Sequence, residues 1–154
     1  MSLAEFERQL AGVAQRIAGL PVEPALAATL TEAFPPEGET FGRIEALCRQ
    51  GIAEGWLCGR EAGGIRFGRA IRPGPGTAGF SVDVVLMEDV EGPHHIHPNG
   101  EIDMIMPETP GATFDGAGRG WLVYGPGSAH RPTVSGGRAI VLYLLPQGAI
   151  AFTR

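Results

Sequence analysis

Cysteine is scarce here, basic clusters and long apolar runs are missing, and each gap excludes something. The chain's two cysteines, Cys48 and Cys58, lie apart from its histidines. Buried reduced thiols are the ordinary state in the cytosol, and a disulfide between the two stays open from sequence. No apolar run approaches the roughly 20 residues that span a bilayer, so no membrane partner is expected. Nothing near Met1 reads as a charged segment followed by an apolar signal core, and the expected compartment is the cytoplasm. The formal net charge is −5 with no basic cluster, which argues against nucleic acid as a partner. An anionic substrate would need local arginines, since the global field does not attract it. A low-complexity linker and a usable internal repeat are missing too.

What is present suits one sizeable core: 154 residues, 44% of them hydrophobic. Leu3, Phe6, Leu10, Val13 and Ile17 recur at three- and four-residue steps, predicting an amphipathic helix that Gly19-Leu20-Pro21 ends. A second helix is predicted from about Glu23 to Phe34, with Pro24 in its first turn and Pro35-Pro36 as its stop. Phe41, Ile44, Leu47, Cys48 and Ile52 mark a third, closed at Gly55. Residues 1–55 thus read as a helical prefix, packed on the remainder or on a partner in a dimer. From Gly64 onward the apolar runs shorten and alternate: Ile65 to Ile71, Phe80 to Val90, His94 to His97, Glu101 to Pro107, Ala112 to Asp115, Trp121 to Tyr124, His130 to Val134 and Arg138 to Leu145. Turns such as Asp115-Gly116 and Ser135-Gly136-Gly137 join them. These runs predict a mainly β unit over 56–154, a small double-sheet barrel.

Chemistry concentrates in His94-His95-Ile96-His97-Pro98-Asn99-Gly100-Glu101, with His130 beyond a Gly-rich turn. Side chains alternate along a strand, so His95 and His97 share a face, and Glu101 can return to it after the Pro-Asn-Gly turn. His130 would come from a neighbouring strand. Neutral imidazoles and one carboxylate suit a divalent first-row metal, Fe, Mn, Ni, Co or Zn, and leave positions open for water or substrate. The plain alternative is four histidines and acids with no metal. His94 faces the other way, where a hydrogen-bonded surface role competes with substrate handling.

The spacing His-x-His, three residues, Glu, and later Gly127-Ser128-Ala129-His130 resembles the two metal-binding motifs of the cupin superfamily. Asp89 stands where the first motif usually opens with Gly, Val134 where the second usually has Asn, and Pro126-Gly127 is a contracted Pro-x-Gly. These departures touch turns, not ligands. The resemblance implies a cupin-type double-stranded β-helix, or jelly roll, and a homodimer. A longer resemblance runs through Gly55-Trp56-Leu57-Cys58, Gly63 to Arg69, Phe80 to Val85, His97 to Pro107 and Pro126 to Val134, and is to the 4-hydroxylaminobenzoate lyase family. It covers most of residues 55–152. It implies conversion of 4-hydroxylaminobenzoate to 3,4-dihydroxybenzoate and ammonia, a step in nitroaromatic catabolism. Such chemistry asks for an acid at the hydroxylamine oxygen, a base for a ring proton and a cation for the carboxylate.

Phase nominates residues for these roles. Asp103 shares a strand face with Glu101 and would be acid or base there, or would orient a ligand histidine. Arg69 keeps phase with Ile65, Phe67 and Ile71 on an apolar face, so it needs an anion: a benzoate carboxylate, or Asp83 as the plain reading. Arg131 and Tyr143 are further substrate-binding candidates, and Phe67 and Trp121 would wall an aromatic ring unless they are only core. Two other classes of function remain open: a metal-dependent dioxygenase acting on a small aromatic acid, separated from the lyase by its need for O₂, and a non-catalytic small-molecule-binding cupin, separated by any turnover at all.

Overall fold

The computed structural model describes residues 2–153; the terminal Met1 and Arg154 lie outside them. Three helices come first: α1 (Ser2–Ile17), α2 (Leu26–Ala33) and α3 (Glu39–Glu54). Phe6, Leu10, Val13 and Ile17 of α1 are buried at the predicted spacing. The second helix begins later than predicted, because Leu26 and Ala27 donate to the carbonyls of Glu23 and Pro24 in a turn that precedes it. The third ends at Gly55, whose φ of 87° lets its N–H reach Gly51 O. Gly51 is itself needed, since a Cβ there would stand 2.7 Å from the Leu57 side chain.

Ten strands follow: β1 (Arg60–Ala62), β2 (Ile65–Ile71), β3 (Phe80–Glu91), β4 (His95–His97), β5 (Glu101–Pro107), β6 (Thr113–Phe114), β7 (Gly120–Tyr124), β8 (Ser128–His130), β9 (Thr133–Pro146) and β10 (Ala151–Phe152). They form a large sheet in the order β1-β2-β3-β9-β5-β7, with β6 on β9, and a small sheet β10-β4-β8. The architecture is mainly β with an N-terminal helical segment, as predicted.

Three local predictions are corrected. Ser135-Gly136-Gly137 is no turn between strands; β9 runs through it, and these three residues bulge opposite the single Asp89 of β3, whose carboxylate accepts from Gly137 N–H at 3.1 Å. His130 belongs to β8 and is separated from β9 by Arg131-Pro132, because Pro132 has no N–H for a ladder. A bulge between Arg69 and Ile71 sends Ile71 to the opposite face from Phe67 and Arg69. The short, exposed strands β1 and β10 gave no apolar signal to find.

Period two divides the large sheet sharply. Val82, Val84, Ile102, Met104, Met106, Leu142 and Leu144 pack with the helices' Phe6, Leu10, Leu30, Phe41, Ile44 and Leu47 in one core. The intervening residues face the barrel interior, where Val85, Met87, Ile105, Val141, Tyr143 and Leu145 form a second cluster.

Candidate metal centre

The interior face carries polar groups where β5 meets the small sheet. In β4 and β8, His95 lies opposite His130 and His97 opposite Ser128. After His97 the chain turns at Pro98-Asn99-Gly100. Gly100 N–H donates to His97 O at 3.2 Å, and a Cβ at Gly100, where φ is 91°, would strike Tyr124 O and Val22. That turn brings Glu101 back onto the histidines. His97 Nε2 stands 3.1 Å from Glu101 Oε1, His95 Nε2 3.5 Å from the same oxygen, and His130 Nε2 3.5 Å from Oε2. One ligand atom from each of the four lies within 4.8 Å of every other.

Each imidazole is fixed through its far nitrogen. His97 Nδ1 lies 2.9 Å from Ser128 Oγ, whose own hydroxyl donates to Gly125 O, so the serine oxygen accepts and His97 Nδ1 carries the proton. His95 Nδ1 donates to Pro93 O at 3.3 Å, and His130 Nδ1 to Asp115. All three Nε2 atoms therefore converge on Glu101, and those of His95 and His130 lie 3.1 Å from each other. His97 Nε2 and both Glu101 oxygens are buried without a hydrogen-bond partner among the described residues. Three imidazole nitrogens and a carboxylate gathered this closely are a donor set that a metal ion fits once it displaces the His130 proton, and the cluster can hold one.

Asp115 is the support that sequence reasoning missed. Its carboxylate accepts from His130 Nδ1, from Tyr124 OH at 2.6 Å and from Thr133 N–H at 2.9 Å. Burial would raise its pKa, but these bonds lower it. Burial opposes charge on His130 as well, yet Asp115 and Glu101 push it up to about 9. Glu101 is buried too, and the three imidazoles around it hold its carboxyl well below the usual range. Asp103, two residues on, is fully buried; burial and then the Glu101 charge raise its pKa well above the usual value. In sequence Asp115-Gly116 looked only like a turn and Ser128 like a spacer.

Beside the cluster opens a cavity of about 930 Å³. His95, Phe67, Tyr143, Val85, Leu145 and the exposed Phe152 line it, and the Phe152 ring meets His95 edge-on at 5.5 Å. Tyr143, raised well above its usual pKa by burial and the surrounding carboxylates, lies between Asp103 and Asp83 in register. Arg69 lines the cavity, with its guanidinium on Asp83 at 2.8 and 3.4 Å and on Gly148 O at 3.1 Å. Three nominated residues are not brought here. Trp121 lies on the helix-facing side, because it pairs with Met104 rather than with an odd-numbered residue of β5, and its Nε1–H donates to Phe34 O. Arg131 is exposed and outside the cavity wall. His94 turns away from the cluster to Thr153 Oγ1.

The family model described as 4-hydroxylaminobenzoate lyase matches residues 8–152. The chain belongs to the 4-hydroxylaminobenzoate lyase family. Two relatives named 4-hydroxylaminobenzoate lyase agree. That of Nocardioides sp. (strain LMS-CY) is 36% identical over 132 residues, 80% of this chain and 78% of its own length. That of Pseudomonas putida is 34% identical over 140 residues, 80% of each. Among solved structures the chain is similar to an RmlC-like cupin protein from Ralstonia eutropha JMP134 (TM-score 0.46, 13% identity, 60% of this chain and 62% of that one). An oxalate oxidase in complex with glycolate also scores 0.46, at 23% identity over 60% of this chain and 57% of the other. Within the lyase family, the run His97 to Pro107 now has a structural meaning: it is the turn and strand that carry Glu101 and Asp103 into the interior. No helix among the described residues is long and apolar enough to cross a membrane.

Proposed function

We propose that this chain is a metal-dependent lyase that converts 4-hydroxylaminobenzoate and water to 3,4-dihydroxybenzoate and ammonia. The observation that carries the reading is a convergent three-imidazole, one-carboxylate cluster that meets a largely apolar cavity through His95, in a chain of this family. The reaction balances without an external oxidant: nitrogen is reduced as the N–O bond breaks, and the ring carbon adjacent to the one that bears nitrogen is oxidised as it gains oxygen. The resulting ring imine takes up water and releases ammonia, and loss of the ring proton restores aromaticity.

A divalent metal held by His95, His97, Glu101 and His130 would supply a Lewis acid for the hydroxylamine oxygen. The chain's own groups do the rest. Phe67, Val85 and Leu145 take the flat ring and exclude water from it. Asp103, whose pKa burial and the Glu101 charge raise, is the acid behind the cluster. Tyr143, in the cavity wall and opposite Asp103 in register, offers its hydroxyl to the substrate. Asp115 holds His130 in the tautomer that leaves Nε2 free.

The test is an anaerobic incubation with 4-hydroxylaminobenzoate in which ammonia and 3,4-dihydroxybenzoate are followed together. Equimolar products without oxygen are expected. Product only when O₂ is admitted would replace the lyase by a dioxygenase, and an untouched substrate would remove turnover of this acid.

A further inference from the structure

Two cations line the cavity, Arg60 and Arg69, and they are not equivalent. Arg69 spends its guanidinium on Asp83 and on the Gly148 carbonyl, in the loop that leads to Phe152. Arg60 makes no ion pair or hydrogen bond to any described residue. In the β1–β2 ladder Arg60 lies opposite Phe67 and Ala62 opposite Ile65. Cross-strand partners share a face, so Arg60 stands on the cavity side above the apolar Phe67 and Ile65, while Glu61, opposite Arg66, faces away.

That arrangement suits an aromatic carboxylate: an apolar floor for the ring and, at the edge strand where the cavity opens, a free planar fork for the anion. The chain has no lysine, so arginine is its only strong side-chain cation. With a net charge of −5, the surrounding field gives the anion no help. Of the acids in the cavity wall, Asp83 is occupied by Arg69. Glu91 lies at the end of β3, six residues beyond the Val85 that faces Phe67, or about 20 Å of strand.

We infer that Arg60 reads the substrate's carboxylate and restricts the cavity to aromatic acids, whereas Arg69 is a structural cation tying β2 to β3 and to the C-terminal loop. The identity of the acid rests on the lyase reading; capture of the anion does not need turnover.

The experiment is calorimetric titration of the full chain with benzoate and with benzamide, its neutral counterpart, at low ionic strength, for wild type, Arg60→Gln, Arg60→Lys and Arg69→Gln. Wild type should prefer benzoate. Arg60→Gln should weaken benzoate about tenfold or more and leave benzamide unchanged, Arg60→Lys should recover part of the loss, and Arg69→Gln should keep the preference. A benzoate preference that survives Arg60→Gln, one that disappears in Arg69→Gln instead, or its absence from wild type would each overturn the assignment. Benzoate preference through Arg60 in a protein that leaves 4-hydroxylaminobenzoate untouched would sink the lyase reading and leave Arg60 in place.

Discussion

The two faces of β5 differ more than any two domains of a larger protein need to. Ile102, Met104 and Met106 are fully buried against the helices; Glu101 and Asp103, their immediate neighbours, are as completely buried but point into the interior, toward the histidines and Tyr143. One face contributes dispersion and water exclusion, and the other carries two carboxyls with no hydrogen-bond partner among the described residues. The difference teaches that the helical layer is what makes the polar interior tolerable. Burying such groups costs free energy, and the apolar face, continuous from β3 to β7 and capped by three helices, offsets it.

The comparison predicts that substitutions at alternate positions of one strand affect different properties. Glu101→Gln should have the largest effect: loss of stoichiometric metal by elemental analysis and a drop in turnover of at least about a thousandfold, with the fold intact by circular dichroism. Asp103→Asn, isosteric but unable to donate a carboxyl proton, should lower kcat by about 10²–10⁴-fold while metal content stays at wild-type level. Met104→Ala should do the reverse, costing about 2–5 kcal/mol of stability in denaturant titration with kcat unchanged where the protein is folded. Loss of metal in Met104→Ala would break the separation of the two faces.

Smaller effects sharpen it. Asp115→Asn should weaken metal binding by about 10–100-fold and alter the pH dependence of the chelated protein. His130 has a folded pKa of about 9, above its ordinary 6.5. Its stabilising contribution is therefore complete below about pH 6.5 and lost as pH rises through about 9. Thermal melts of metal-free wild type should fall over this window, and those of Asp115→Asn should be flatter. His94→Ala, which removes only the bond to Thr153, should change turnover by less than about twofold.

Much of this was legible in the sequence because period two needs no tertiary information. The shared face of His95 and His97, that of Glu101 and Asp103, and the common phase of Phe67 and Arg69 follow from alternation within single strands, whereas His130 came from the Gly-x-x-His motif. Alternation failed where a bulge intervened, as at Ile71, and where it gave no choice of side. Trp121 reads as aromatic on either face, and only the pairing with Met104 turns it toward the helices. Asp115 was hidden for another reason. It reaches His130 across 15 residues from a turn with φ near 50°, and nothing local announces a contact made by the closure of two sheets. Arg60 was hidden by the three-residue strand that carries it, too short and exposed to show a pattern.

The most direct measurement strips the metal with a chelator, removes the chelator, and follows anaerobic release of ammonia from 4-hydroxylaminobenzoate as a divalent metal is added back. Activity should be absent from the stripped protein, rise linearly and stop at one equivalent per chain for wild type, and remain absent for Glu101→Gln. Full ammonia release from stripped protein holding no detectable metal would contradict the account, because the convergent Nε2 lone pairs would then have no part in the reaction.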